Sequence, residues 1–497
     1  MIERSVPRRN FRFTVAAVEQ LEGRRLLSSG TGPFSASFRT SLRNFMRAQD
    51  LPQISISIHR GDASQGDSTR DDVGYQYWFT NRQYAFRGGR IPKTDENSLF
   101  RLASVSKVFT ATAIMKQVEL GNLALADRAF QVLGYFDAQG NPVAQSGFDP
   151  VTGAGVTYSP SPELYDVTIQ SLLNMSSGLP LNVPIQSATF PKTPDGQVIY
   201  VQGSYASIAF AGPAPYSGPA TADQQVAYYS YSFSTNDLEL DSPGTYLYND
   251  TGYLVLGAIA ERVSKTAYDM DYGSFLDQYI LSPIGISKPQ EAPATATPMV
   301  GIARTLRARR FPTEVTYYTN ATGPNIFPNA ATHPNRVVSQ AYGGFYYVES
   351  HFGEGGLAAT PSALTRLFHR LGEVYSGLRS DGPLSRDTIS QMVGQGNGVA
   401  VPNSGGAWWG LGWEVFPTTP NGSEPGNWSK NGALPGTSTL LTRLADGTTF
   451  AYTLNQRLST TGSSSRQTPP ANQLATIIRN AIAAWNNPKA ARTARRR

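Results

Sequence analysis

The chain has 497 residues, of which 40% are hydrophobic and 11% aromatic, enough apolar material for a sizeable core and too much for a disordered polymer. Its net charge of +6 is concentrated at the ends. The first 25 residues hold a net +3 and the last nine a net +5, so the body between them is close to neutral at −2. A nucleic-acid-binding body would carry a basic face, so that class is set aside, and the absence of any run of 18 or more apolar residues predicts no membrane span.

There is no cysteine, which excludes disulfides, thiol nucleophiles and cysteine-based metal sites. The four histidines, His59, His333, His351 and His369, form no H-E-x-x-H or similar cluster, so a zinc site is not expected. Length alone allows one large domain or two to three ordinary ones.

Residues 1–30 do not read as domain core. Their apolar stretch is too short for a secretory h-region, yet residues 21–28 resemble a short LE-x-R-x-LLS leader of exported or surface bacterial proteins. That resemblance implies export to the periplasm or the exterior. Residues 35–50 predict an amphipathic helix with Phe38, Leu42, Phe45 and Met46 on one stripe. Ile54, Ile56 and Ile58 alternate with serines and predict a strand, and residues 75–79 predict a second. A helix follows from about Ser104, with Val108, Ala111, Thr112, Met115 and Val118 spaced by threes and fours and Gly121 to end it.

From 124 to about 334, helical segments alternate with loops rich in Gly, Pro and Ser. Residues 168–175 predict a short helix. Residues 181–235 show little helical period and read as an insertion. Residues 253–263 are helical, and 276–286 give a short helix and a turn. The last third predicts a helix over 362–371, a strand over 410–415, a hairpin of 437–443 and 448–454 around Ala445-Asp446-Gly447, and a helix over 470–485. The remaining residues, 487–497, form a basic tail. This order predicts an α+β fold with an antiparallel sheet assembled from both ends (31–123 and 335–486) and flanked by helices. A mostly helical lobe over 124–334 would form the other wall of a cleft.

Three short motifs stand out: Ser104-Val105-Ser106-Lys107, Tyr248-Asn249-Asp250 and Lys430-Asn431-Gly432. Each is weak alone; a bare S-x-x-K occurs by chance roughly once in such a length. With their surroundings they are specific. LFRLASVSKVFTATAIMKQVELGNLALAD, PGTYLYNDTGYLVLGAIAERVS, GEGGLAATPSALTRLF, GLGWEV and KNGALPGTSTLL occur in one order across residues 35–485, and together resemble the serine β-lactamase and penicillin-binding-protein superfamily. The nearest branch is that of class C β-lactamases, DD-carboxypeptidases and related esterases.

The resemblance implies a β-lactamase/transpeptidase-like fold and a hydrolase working through an acyl-enzyme, with no metal or organic cofactor, on small esters, D-amino-acid peptides or β-lactams. It implies Ser104 as nucleophile, Lys107 as its activating partner, Tyr248 as a proton carrier with phenolate character, and Lys430 as second cation. It places the oxyanion hole on the backbone N–H groups of Ser104 and Ala433. Gly432 would let substrate lie close to an edge strand, and Asp250 and Asn431 would face substrate.

Two positions depart from the branch. Asp250 replaces an asparagine, and an anion there would pair with Lys107 and favour its charged form. Asn431 replaces a hydroxyl residue. Both argue for ester or peptide hydrolysis over β-lactam hydrolysis. The alternative is a non-catalytic module that binds cell-wall peptide or a protein partner. His351 is expected to be structural or solvent-facing. A Ser-His-Asp hydrolase fits poorly, because no G-x-S-x-G elbow is present.

Overall fold

The computed structural model describes residues 32–487 apart from 61–73, 85–90, 149–154, 181–208, 212–216, 236–237, 290–297, 307–308, 326, 328–336, 345, 396–399 and 459–468. The expected leader, the basic tail after 487 and the 181–208 part of the expected insertion lie outside the described residues. The chain divides into two compact units, one of residues 1–45 with 460–497 and one of residues 46–459. In the first, the C-terminal helix Pro470–Asn486 buries Leu474, Ile478 and Ile482. The helix Ala36–Ala48 begins there and buries the stripe read from its sequence. The motif residues all lie in the second unit.

Its frame is an eight-stranded antiparallel sheet. The strands are β1 (Gln53–His59), β2 (Tyr75–Thr80), β3 (Val401–Pro402), β4 (Trp408–Trp409), β5 (Glu414–Pro417), β6 (Pro425–Leu434), β7 (Thr437–Arg443) and β8 (Thr449–Leu454), in the order β3-β4-β5-β6-β7-β8-β1-β2. Early and late segments thus share one sheet, as the sequence predicts. The β7–β8 hairpin turns at the Ala445-Asp446-Gly447 signal. Alternation in β1 predicts one buried face, but all seven residues are buried. The serine face is covered, and Ser57 Oγ bonds Thr365 Oγ1 at 2.8 Å.

Four helices shape the site: α1 (Ser106–Glu119), α2 (Ala222–Ser234), α3 (Thr251–Tyr268) and α4 (Pro361–Tyr375). Thr365 belongs to α4, whose Phe368 meets Trp413 at 5.0 Å between ring centroids. Helix α1 is buried more widely than its apolar spacing predicts, because residues 106–115 are all buried. Phe109, Ala113 and Ile114 fill the side that the spacing left open, as in a helix at the centre of a core. Gln117 at its end bonds Ser264 of α3 at 3.0 Å. Helix α2 corrects the reading of 181–235 as lacking helical period. Its start is a capping box in which Thr221 and Gln224 satisfy each other's backbone N–H, a signature carried by the sequence itself. The strand predicted over 410–415 begins only at Glu414; residues 410–413 are the turn from β4.

Candidate active site

The turn that carries Ser104 is set from below. A three-stranded ribbon of Phe100–Arg101, Leu357–Ala359 and Val300–Ile302 leads into it. Buried Arg101 donates to the carbonyls of Ala341 (2.7 Å) and Arg304 (2.8 Å) and pairs with Glu314 at 3.4 Å. Residues 103–105 then form one 3₁₀ turn before α1. Ala103 has φ of +49°, the left-handed region that L-residues other than Asn and Asp rarely enter. Ser104 is not a cap for the helix: its hydroxyl points away to other side chains.

Those side chains are the ones the motifs single out. Tyr248 OH donates to Ser104 Oγ at 2.8 Å, and Lys107 Nζ donates to the same oxygen at 3.3 Å. Lys430 Nζ stands 3.5 Å behind the Tyr248 hydroxyl and donates to Asn431 O at 2.9 Å. Ser104 is 8% exposed, Lys430 3% and Lys107 0%. Four residues from three distant parts of the chain therefore meet around one hydroxyl.

Asp250 is 3% exposed, and its carboxylate accepts from Lys107 Nζ at 2.5 Å, the pairing the sequence predicts for an anion at this place. Although Asp250 precedes the first residue of α3, its side chain makes no cap. Asn249 takes that work, with Oδ1 accepting from Gly252 N at 2.7 Å. The division leaves Asp250 for the lysine.

The expected phenolate at Tyr248 is not the resting form. Burial first, and Asp250 second, push the Tyr248 hydroxyl well above its ordinary pKa, and the hydrogen bond to Ser104 opposes them only in part. Tyr248 rests as a neutral phenol. Lys430 moves the other way: burial, followed by the Lys107 charge, pulls it down to about 7, against Asp250 and Glu414. Trp409 steadies this corner. Its Nε1 donates to Leu173 O at 3.2 Å, its ring meets Tyr248 edge-on at 5.8 Å, and Lys430 Nζ lies 5.4 Å from its centroid.

Gly432 also meets a close backbone approach. A Cβ there would lie 2.3 Å from Leu102 O and 3.0 Å from Ser104 N, so the missing side chain admits the nucleophile's own turn. The strand lies inside the sheet, but its C-terminal stretch has a free edge. Pairing with β5 ends at Ser429, which among the described residues leaves 430–434 paired to β7 only. Ala433 lies next to Gly432 in that stretch. Asn431 is exposed, and strand alternation turns its side chain away from the face that carries Lys430. What Asn431 brings to Lys430 is its carbonyl.

Sequence reasoning missed the groups behind Lys107. Glu354 O accepts from Lys107 Nζ at 2.9 Å, and the Glu354 carboxylate pairs with His351 Nδ1. His351 is wholly buried and so structural rather than solvent-facing. The Gly-rich run 353–356 was the available signal for a close backbone approach at this point.

Comparison with solved structures defines the fold as β-lactamase/transpeptidase-like. An octameric penicillin-binding protein homologue from Pyrococcus abyssi aligns over 90% of this chain and 76% of its own, at 19% identity and a TM-score of 0.53. The D-amino acid amidase from Ochrobactrum anthropi SV3 aligns over 91% and 100%, at 14% identity and a TM-score of 0.53. A penicillin binding protein from Bacillus halodurans aligns over 88% and 98%, at 14% identity and a TM-score of 0.51. The Beta-lactamase family profile matches residues 67–469, most of the sequence, and the chain belongs to that family. No curated protein matches it. Among the described residues no helix is long and apolar enough to cross a membrane, and no group of three or more acidic or histidine side chains is placed to hold a metal ion.

Proposed function

We propose that the protein is a serine hydrolase that forms an acyl-enzyme on Ser104. The observation that carries this is the hydroxyl of Ser104 held at 2.8 Å by Tyr248 with Lys430 3.5 Å behind it. At rest Tyr248 donates to Ser104 Oγ and Lys430 to Tyr248, so both hydrogen bonds reverse for the attack: with Lys430 neutral, Tyr248 turns its proton to the lysine amine and Ser104 donates to Tyr248. As Ser104 Oγ bonds the substrate carbonyl carbon, its proton passes to Tyr248, and the Tyr248 proton passes to the amine of Lys430. The carbonyl π pair becomes an oxyanion facing the N–H groups of Ser104 and Ala433. When the C–O or C–N bond to the leaving group breaks, the proton returns along the same route to that group. Water then repeats the sequence to release the acid. Lys107, paired with Asp250, serves as a fixed positive charge beside the forming alkoxide rather than as the base.

The substrate is an ester or a peptide amide, with D-amino-acid peptides in that class and β-lactams the less favoured. The Asp250 carboxylate, where an amide donor is usual in the branch, supports that ranking. Export rests on the leader-like residues 21–28. Ser104→Ala should abolish both turnover of a 4-nitrophenyl ester and labelling by a fluorophosphonate; residual labelling of the alanine variant would sink the assignment.

One observation favours a second reading. The 2.5 Å Lys107–Asp250 pair withholds the lysine from proton transfer, as a binding module that had given up turnover would tolerate. Intact-mass measurement after incubation with a penicillin, a D-Ala-D-Ala peptide and an activated ester separates the two. An adduct on Ser104 supports the hydrolase; none with any of the three supports the module.

A further inference from the structure

The proton route leaves a buried polar cluster unused. The loop around 351–357 is tied to the first turns of α1 at three points. Leu357 N donates to Ser106 Oγ at 3.1 Å, Lys107 Nζ to Glu354 O at 2.9 Å, and Thr110 Oγ1 to Gly353 O at 2.7 Å. There is no slack on the far side. A Cβ on Gly353 would lie 2.5 Å from Tyr253 O and 2.7 Å from the Gly257 Cα of α3. The position of the Glu354 carbonyl, and with it the reach of Lys107 towards Ser104, is therefore set by this loop.

Two ionisable side chains lie inside it. The Glu354 carboxylate is paired with His351 Nδ1, and both residues are almost wholly buried. The His351 ring stacks on Tyr346 at 4.9 Å, and its Nε2 lies 3.4 Å from Gln225 Nε2, which also donates to Ser350 Oγ at 2.6 Å. Gln225 comes from α2, and its buried Oε1 has no hydrogen-bond partner among the described residues. Turned over, the same amide would offer that oxygen to an Nε2–H of His351. The charged and titratable groups facing the pair include Lys107 from α1, Tyr229 from α2, and Tyr248 and Asp250 from the segment that leads into α3, with Tyr346 from its own loop. Burial holds the Glu354 carboxyl above the usual carboxylate range, with His351 and then Lys107 opposing and Asp250 adding to the rise. Placing a carboxylate and an imidazole here is costly, and a carbonyl for Lys107 needs neither.

We propose that Glu354 and His351 are a positioning pair for Lys107. They hold the carbonyl that limits the lysine's travel between Asp250 and Ser104, and they counterbalance the Lys107–Asp250 charges. This rests on the acyl-enzyme reading of Ser104.

The test compares leucine with conservative variants at both positions, reading fluorophosphonate labelling rate, kcat and KM on a 4-nitrophenyl ester, and Tm. Glu354→Leu and His351→Leu should lower kcat and labelling rate roughly 10- to 100-fold with little change in KM. Glu354→Gln and His351→Asn, which keep a hydrogen bond between the two, should recover most of the loss. A folded leucine variant with wild-type kcat overturns the proposal, as does a loss that follows Tm equally in both sets. Wild-type protein that neither labels nor turns over would sink the hydrolase reading and this proposal with it, whereas an active wild type with unaffected leucine variants overturns the positioning role alone.

Discussion

Lys107 and Lys430 lie within reach of one tyrosine hydroxyl network, and both are buried, yet their surroundings differ in kind. Lys107 has a carboxylate at 2.5 Å and a carbonyl at 2.9 Å. Lys430 has one carbonyl at 2.9 Å, while the rings of Tyr248 and Trp409 stand 5.0 and 5.4 Å away. Aromatic faces repay only part of an ammonium's lost hydration, whereas a buried carboxylate repays much more. Depth of burial does not assign the role of a lysine; the partner does. Lys107 is held by an anion, while burial and the Lys107 charge pull Lys430 down to about 7.

The comparison breaks most visibly at Lys430. Lys430→Met should lower kcat by about 10²–10⁴-fold, the usual worth of a positioned acid-base group. A loss under about threefold would remove Lys430 from the proton route. In the wild type, kcat/KM should rise as pH increases through about 7, because Lys430 must lose its proton before it can accept one. Lys430→Arg, which stays protonated, should be slow and flat across that range.

Asp250→Asn comes next. It leaves Lys107 without its anion, and breaking a buried pair from one side typically costs about 3–5 kcal/mol, with an amide oxygen holding this case to the low end. Thermal or urea unfolding reads that loss, and stability equal to wild type would mean that the pair does not fix Lys107. Glu414→Gln should have the smallest effect. Glu414 favours the charged form of Lys430, so its removal should move the acid limb of the pH profile to lower pH by a fraction of a unit. A limb that moves upward would contradict the electrostatic account.

How much of this was legible in the sequence differs by element. The β7–β8 hairpin was readable because its turn chemistry and its strand composition agree. Strand β6 was not, since Pro-Gly-Asn-Trp-Ser-Lys-Asn-Gly has little strand propensity; pairing with β5 and β7 holds it extended. The motif residues could be named but not their protonation. Tyr248 was expected to carry phenolate character, and burial with Asp250 nearby reverses that. The glycine-rich run around Glu354 signalled a close backbone approach, but the grouping of Gln225, His351 and Glu354 was out of reach. Gln225 is 126 positions from His351, and no periodicity links a polar residue on a buried helix to a glycine-rich loop. The apolar spacing of α1 predicted a helix but not its burial on every side, which depends on neighbours that only the tertiary structure supplies.

One backbone angle carries a consequence for engineering. Ala103, next to the nucleophile, holds φ at +49°, a conformation that costs an alanine about 1–2 kcal/mol and a glycine almost nothing. A screen for heat tolerance alone should therefore enrich Ala103→Gly, with Tm rising slightly or holding. The same change would loosen the seat of Ser104, so kcat should fall while the melting curve looks sound. Directed evolution of this protein for durability would have to score turnover at every round, or it would select well-folded molecules that have lost their aim.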